Sequence, residues 1–209
     1  MKYLFIYTFL AILIIACDSN DQNTAKEKKN MSDNEYENQT LETIFSRKSV
    51  RNFTEEKVTK EQLELIVKAG MAAPTAVNMQ PWTFVIVTER ETLNKLGEQL
   101  PYAKMLFQAQ AAIVVCAVPE WSIKDHPVKY SILDCSAATQ NILLAAESMG
   151  LGAVWTAAYP RDERMASVRQ ILEIPEDIIP LNVIPVGYPT GEDKPKDKWK
   201  PERLHWEKW

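Results

Sequence analysis

The sequence predicts one mixed domain of helices packed on a β-sheet, preceded by a polar linker and an apolar leader. Three observations carry this. Short β-rich runs alternate with amphipathic helical patterns from about Thr40 onward; Asp18–Gln39 is nearly free of large apolar residues; and the first residues form an apolar run that stops at Cys17. Composition alone leaves a doubly wound sheet and an α+β sheet equally open.

In the leader, Lys2 is followed by an apolar or aromatic/hydroxyl run from Tyr3 to Ala16. That run is short for a spanning helix and has the length of a signal-peptide core. Ile14-Ile15-Ala16-Cys17 resembles a bacterial lipobox, which implies acylation of Cys17 and an exported, membrane-anchored lipoprotein, periplasmic or at the cell surface. Residues 1–17 are then signal. Residues 18–39, rich in Asn, Asp, Glu, Lys and Ser, cannot bury enough surface to offset ordering and read as a flexible tether. Residues 40–209 suffice for one domain with a full core.

Within that domain Leu41, Ile44 and Phe45 form a short apolar-periodic run. Glu61 to Ala69, with Leu63, Leu65, Ile66 and Val67, predicts an amphipathic helix that stops at Gly70. Trp82–Thr88 predicts a strand, Glu91–Gln99 a helix, Lys104–Gln108 a short helix, and Ala112–Val118 a buried strand. Tyr130–Met149 is apolar almost all round and predicts a central buried helix, with Gly150 as its cap and Gly152 permitting a close turn into Ala153–Ala157. Arg161–Leu172 predicts a further helix, closed by Ile174-Pro175. Asn182–Tyr188 predicts a strand in which Pro185 favours an edge or a bulge.

Several function classes find no support. The net charge of −4 and pI near 5.4 argue against a nucleic-acid footprint. His126 and His205 have no metal-ligand spacing to a Cys, Asp or Glu. Cys116 and Cys135 read as buried thiols. No Gly-x-Gly-x-x-Gly follows a strand, and no phosphate-loop lysine motif occurs.

Chemistry concentrates in Arg47-Lys48-Ser49-Val50-Arg51-Asn52-Phe53, three cations and a hydroxyl in five residues. Such a cluster suits a phosphate, each charge-assisted bond contributing about 1.5–3 kcal/mol. Alone, it equally describes a solvated basic face. Three more segments follow in order: Pro74-Thr75-Ala76-Val77-Asn78-Met79-Gln80-Pro81-Trp82, Met149–Tyr159, and Gly187-Tyr188-Pro189 with the basic stretch after it. Together, across nearly all of Thr40 to about Lys200, they resemble the nitroreductase family of FMN-dependent reductases.

The resemblance implies an α+β fold, with a central β-sheet flanked by helices, and a two-fold homodimer with FMN at the subunit interface. It implies that Arg47, Lys48, Ser49 and Arg51 hold the ribityl phosphate and the pyrimidine side of the flavin. Pro74, Thr75, Ala76 and Asn78 would come from the partner subunit to cover the flavin edge, with Gln80 supporting the turn. Trp155, Thr156 and Ala157 would lie against the ring, and Lys196 and Lys198 would add phosphate-binding cations; Lys104 is a weaker candidate for the pyrimidine. Many members carry an acidic residue and a glycine where this chain has Ala157 and Ala158, which puts substrate choice, not flavin binding, in question.

The expected function is an FMN-dependent oxidoreductase reducing nitroaromatic, quinone or similar acceptors in two half-reactions, with NAD(P)H as donor in vitro. Two alternatives stay open: a flavin-carrying or anion-binding module without turnover, and a specialised flavin-cleaving or dehalogenating relative. Glu120–Lys129 is the one visible candidate for a lid. An exported flavoprotein would sit away from recycled nicotinamide, so a quinol or another redox carrier at the membrane surface is the expected working donor.

Overall fold

The computed structural model describes residues 38–209, so the lipobox, Cys17 and nearly all of the tether lie outside the described residues. The chain divides into two compact units, residues 1–44 and 45–209. In the first, the described residues begin helix α1 (Gln39–Ser46), where the Asn38 side-chain oxygen accepts from the backbone N–H of Thr40 and Leu41 at 3.0 and 3.3 Å. An Asn in that place satisfies donors that the first turn cannot.

The second unit is built on an antiparallel sheet. Its strands are β1 (Trp82–Val87), β2 (Ala111–Ala117), β3 (Gly152–Ala153), β4 (Thr156–Ala157) and β5 (Ile179–Gly187). β1 pairs with β2 and β2 with β5; the other side of β5 carries both β3 and β4. All pairings are antiparallel, which decides for α+β and against a doubly wound sheet.

Strand β2 shows why the helices flank both faces. All seven residues are buried, and alternation sends them opposite ways. Ala111, Ile113, Val115 and Ala117 pack with Leu63 and Ile66 of α2 (Lys60–Met71) and Ala138 and Ile142 of α4 (Pro127–Ser148). Ala112, Val114 and Cys116 pack with Leu93 and Leu96 of α3 (Arg90–Gln99) and Val168 of α5 (Asp162–Leu172). Cys116 and Cys135 are free, buried thiols, and burial pushes the Cys116 thiol up to about 12.

Local chemistry sets the helix ends. Thr59 and Gln62 form a reciprocal capping box at the start of α2, with bonds of 3.2 and 2.9 Å. Pro127 opens α4. At its far end Gly150, at φ +72°, donates to Glu147, and Leu151 donates to Ala146, which closes the helix in a Schellman turn.

Three expectations need correction. Gly70 does not end α2: it lies inside the helix, where a Cβ would stand 2.9 Å from Ile142 Cγ1, so its role is close approach to α4. Pro185 is neither on an edge strand nor at a bulge. β5 is interior, and the ladder with β2 runs through Ala112 and Pro185, while the ladder on the other side breaks between β3 and β4, opposite Ile184 and Pro185. A residue without an N–H fits that gap. Helix α4 buries only one side, including Cys135, Ala138, Ile142 and Ala146, because only one sheet face receives it; Leu133 on the other side is 65% exposed.

Candidate functional site

The basic segment is fastened by its apolar residues. Val50 is fully buried and its N–H donates to Ala153 at 3.1 Å, while Phe53 is buried and pairs with Pro189. Both sit against glycines that leave room for them. A Cβ on Gly152 would stand 2.5 Å from Val50 Cγ1, and one on Gly187 would stand 2.9 Å from Phe53 Cδ1. The Asp193 carboxylate accepts from the backbone N–H of Arg51 and Asn52 at 2.9 and 3.3 Å, and Thr190 donates to Asn52 at 3.1 Å. The tail is thus rooted on this segment.

The cations of the segment part company. Lys48 Nζ pairs with Glu147 Oε1 at 2.8 Å, both side chains being mostly buried. Its charge is matched from the end of α4. Arg47 and Ser49 are half-buried and Arg51 is exposed.

Arg51 lines an open cavity of about 520 Å³. Its other walls are the loop from Leu100 to Met105, the strip Val154–Ala157, and Arg164. Trp155, Thr156 and Ala157 therefore share one cavity with Arg51, and Trp155 is no core aromatic, being 36% exposed. The strip belongs to a sheet edge: Thr156 and Ala157 pair with Val183 and Asn182 of β5 on one side only. A strand edge keeps backbone donors and acceptors for something other than the sheet.

The cavity's charge is one-sided. Arg51, Lys104 and Arg164 line it, and among the described residues no Asp or Glu does. Lys104 Nζ donates to the Gly97 carbonyl at 2.9 Å at the end of α3, which ties down the loop as well as lending charge. Arg90 holds the back of the same loop by donating to the carbonyls of Leu106, Phe107 and Ala109. Arg164 Cζ lies over the Tyr102 ring at 5.3 Å, and Nη1 donates to Ala157 at 3.4 Å.

The loop Pro74–Gln80 lies apart from this cavity in the single chain, contributing nothing to its lining. Its backbone is unusual: Val77, Asn78 and Gln80 have φ of 43°, 60° and 53°, a region L-residues rarely occupy. Its own side chains support it. Thr75 Oγ1 accepts from Gln80 N at 3.2 Å, and Gln80 Nε2 donates to Asn78 Oδ1 at 2.9 Å. One anchor comes from α4, where Asp134 Oδ1 accepts from Ala76 N at 3.1 Å. Pro74, Val77 and Asn78 are exposed. Lys196 and Lys198 are also exposed and line no part of the cavity.

A family model described as the nitroreductase family matches residues 44–100 and 97–188. The chain belongs to the nitroreductase family. It is 45% identical over 172 residues, 81% of its length and 98% of the other's, to an Archaeoglobus fulgidus protein provisionally named NADH dehydrogenase/NAD(P)H nitroreductase. A solved Parabacteroides distasonis structure with the same provisional name is 51% identical, with a TM-score of 0.78, covering 83% of this chain and 100% of that one. A Desulfovibrio desulfuricans structure, provisionally called a nitroreductase and in complex with FMN, is 28% identical with a TM-score of 0.71, covering 83% and 99%.

For this nitroreductase-family chain, sequence reasoning missed Tyr102 and Arg164 at the cavity, Glu147 and Asp193 on the basic segment, and Asp134 under the Pro74–Gln80 loop. Each acts across a turn or across the fold, such as the 99 residues separating Lys48 from Glu147, so no local pattern marks it. A cation in the first turn of a helix, where the dipole disfavours it, was the one available signal for Arg164.

Proposed function

We propose that this chain is an FMN-dependent oxidoreductase that takes electrons from NAD(P)H and passes them to small, flat acceptors such as nitroaromatics and quinones. The observation that carries this reading is the cavity itself: three cations, two aromatic side chains, a strand edge and, among the described residues, no carboxylate, in a volume suited to a small-molecule site. Those residues fit a planar, electron-accepting ring that becomes anionic on reduction. FMN, when bound, supplies reversible two-electron chemistry at neutral pH. The names of the Archaeoglobus and Desulfovibrio relatives, which mention NAD(P)H and FMN, support the same reading.

The chain's own residues then bind, orient and polarise. Arg47 and Ser49, with Lys196 and Lys198 brought in by the tail, would hold the phosphate. Lys48 would act mainly by fixing the segment through Glu147. Arg51 and Lys104 would face the pyrimidine edge, where positive charge favours the reduced, anionic ring. The Trp155–Ala157 edge would offer backbone hydrogen bonds to the ring. In net terms NAD(P)H gives up a hydride; the acceptor leaves with two electrons and two protons, the second proton coming from solvent.

A second copy of the chain completes the reading. Pro74, Thr75, Ala76, Asn78 and Gln80 form a shaped loop that does not line the Arg51 cavity of their own subunit, and Leu133 and Val77 stand exposed beside Asp134 and Ala76, which join α4 to the loop. A homodimer gives both features a use. The lipobox sequence at Cys17 supports lipid anchoring of an exported protein, and there a membrane quinol would replace scarce nicotinamide as working donor.

Anaerobic mixing of the purified full chain with NADPH should bleach its flavin absorption, and a quinone or nitroaromatic should restore it. Bleaching by a soluble quinol as well would support the membrane donor. A flavin that no donor reduces, or that no acceptor reoxidises, would favour a carrier module instead.

A further inference from the structure

Arg164 is the cavity cation with no assigned task. Arg51 belongs to the anchored basic segment, and Lys104 is tied to the end of α3. Arg164 comes from a different element, the first turn of α5, where the helix dipole works against a positive charge. Among the described residues it forms no ion pair, although Asp162 and Glu163 precede it. Its Nε is buried with no hydrogen-bond partner, and the bond from Nη1 to Ala157 is long, at 3.4 Å.

The guanidinium is nonetheless well placed. Its Cζ lies 5.3 Å from the centre of the Tyr102 ring, a residue 75% exposed at the cavity rim, so a cation–π contact holds the charge there. A guanidinium on the cavity wall, with Nη1 held only by the long bond to Ala157, can pair a carboxylate or sulfonate through its terminal nitrogens. The surrounding charge attracts the same ligand, since among the described residues no carboxylate lines the cavity.

We propose that Arg164, held over the Tyr102 ring, is a specificity-determining residue that selects flat aromatic acceptors bearing an anionic group. This rests on the reading of the cavity as an oxidoreductase site and adds the substrate class. The residue touches the acceptor's anionic substituent and takes no part in electron transfer.

The test compares 4-nitrobenzoate with the neutral, similarly shaped 4-nitrobenzamide, using the flavin-loaded full chain with NADPH as donor. Steady-state turnover gives the ratio of the two kcat/KM values, and titration calorimetry gives the ratio of the two affinities without turnover. The wild-type protein should prefer the anion about tenfold in both, as expected for one charge-assisted contact. Arg164→Gln should bring the ratio close to one with FMN content retained, and Arg164→Lys, which keeps the charge without the fork, should fall between. A wild-type ratio near one, a ratio unchanged in Arg164→Gln, or loss of FMN from Arg164→Gln would overturn the assignment. If neither compound is turned over, calorimetry still decides whether Arg164 selects the anion, and the oxidoreductase reading fails only if a quinone also leaves the reduced flavin unchanged.

Discussion

The segment Arg47–Phe53 and the loop Pro74–Gln80 are the two most informative stretches of the sequence, and the fold treats them in opposite ways. The first is locked by its own chain. Val50 and Phe53 are buried against glycines, Asp193 clips the backbone, and Lys48 is paired with Glu147. The second is shaped but unemployed, with three non-glycine residues at positive φ and one anchor, Asp134, to the rest of the chain. One is fixed on both sides within a single subunit; the other stands exposed at Pro74, Val77 and Asn78. Backbone held in sparsely populated conformations tends to mark function, and the support around Val77 fits that pattern.

The largest expected effect comes from unlocking the first region. Gly152→Ala would drive a methyl group into Val50, at contacts of 2.5–2.8 Å, and should cost about 3 kcal/mol in a denaturant titration, with FMN lost in proportion. Next, Lys48→Met leaves the mostly buried Glu147 carboxylate unpaired and should cost about 2 kcal/mol. Adding Glu147→Leu should restore most of it, because the penalty lies in the orphaned charge. If the double variant is no better than the single one, the pair is not what fixes the segment.

Effects in the second region should be smaller on stability and larger on assembly. Asp134→Ala removes the acceptor for Ala76 N and should cost about 1 kcal/mol, while lowering the dimer fraction seen by light scattering at low micromolar protein. Val77→Gly relieves a β-branched residue at φ 43° and should gain about 0.5 kcal/mol once glycine's greater chain entropy is subtracted. Assembly should weaken all the same, because Val77 is 76% exposed and its side chain has nothing else to cover. Wild-type dimerisation in both variants would erase the contrast between the regions.

Much of this arrangement is legible in the sequence because its signals are local. β-rich runs, capping residues and glycine positions mark the elements within a few residues, and the order of four motifs points to the family. What escapes has a common cause: partners meet through the fold. Pro185 signals an edge or a bulge but sits inside the sheet, because the break it needs is supplied by the gap between two short neighbouring strands. Gly70 reads as a stop but serves the contact with Ile142. Lys48 reads as a free cation of the basic cluster, and its partner Glu147 comes from 99 residues away. The cavity joins Arg51, Lys104, Trp155 and Arg164, and only tertiary structure makes neighbours of them.

The central claim is that this cavity, completed by a second subunit, holds FMN. Its most direct test is the identity and stoichiometry of flavin on the full chain, before and after removing the cavity's cations. The account predicts a yellow wild-type dimer with one FMN per chain and no FAD, and an Arg51→Ala, Lys104→Ala double variant that stays folded with most of that FMN gone. A wild-type protein that is colourless and takes up no added FMN, or a double variant that keeps its full complement, would contradict it.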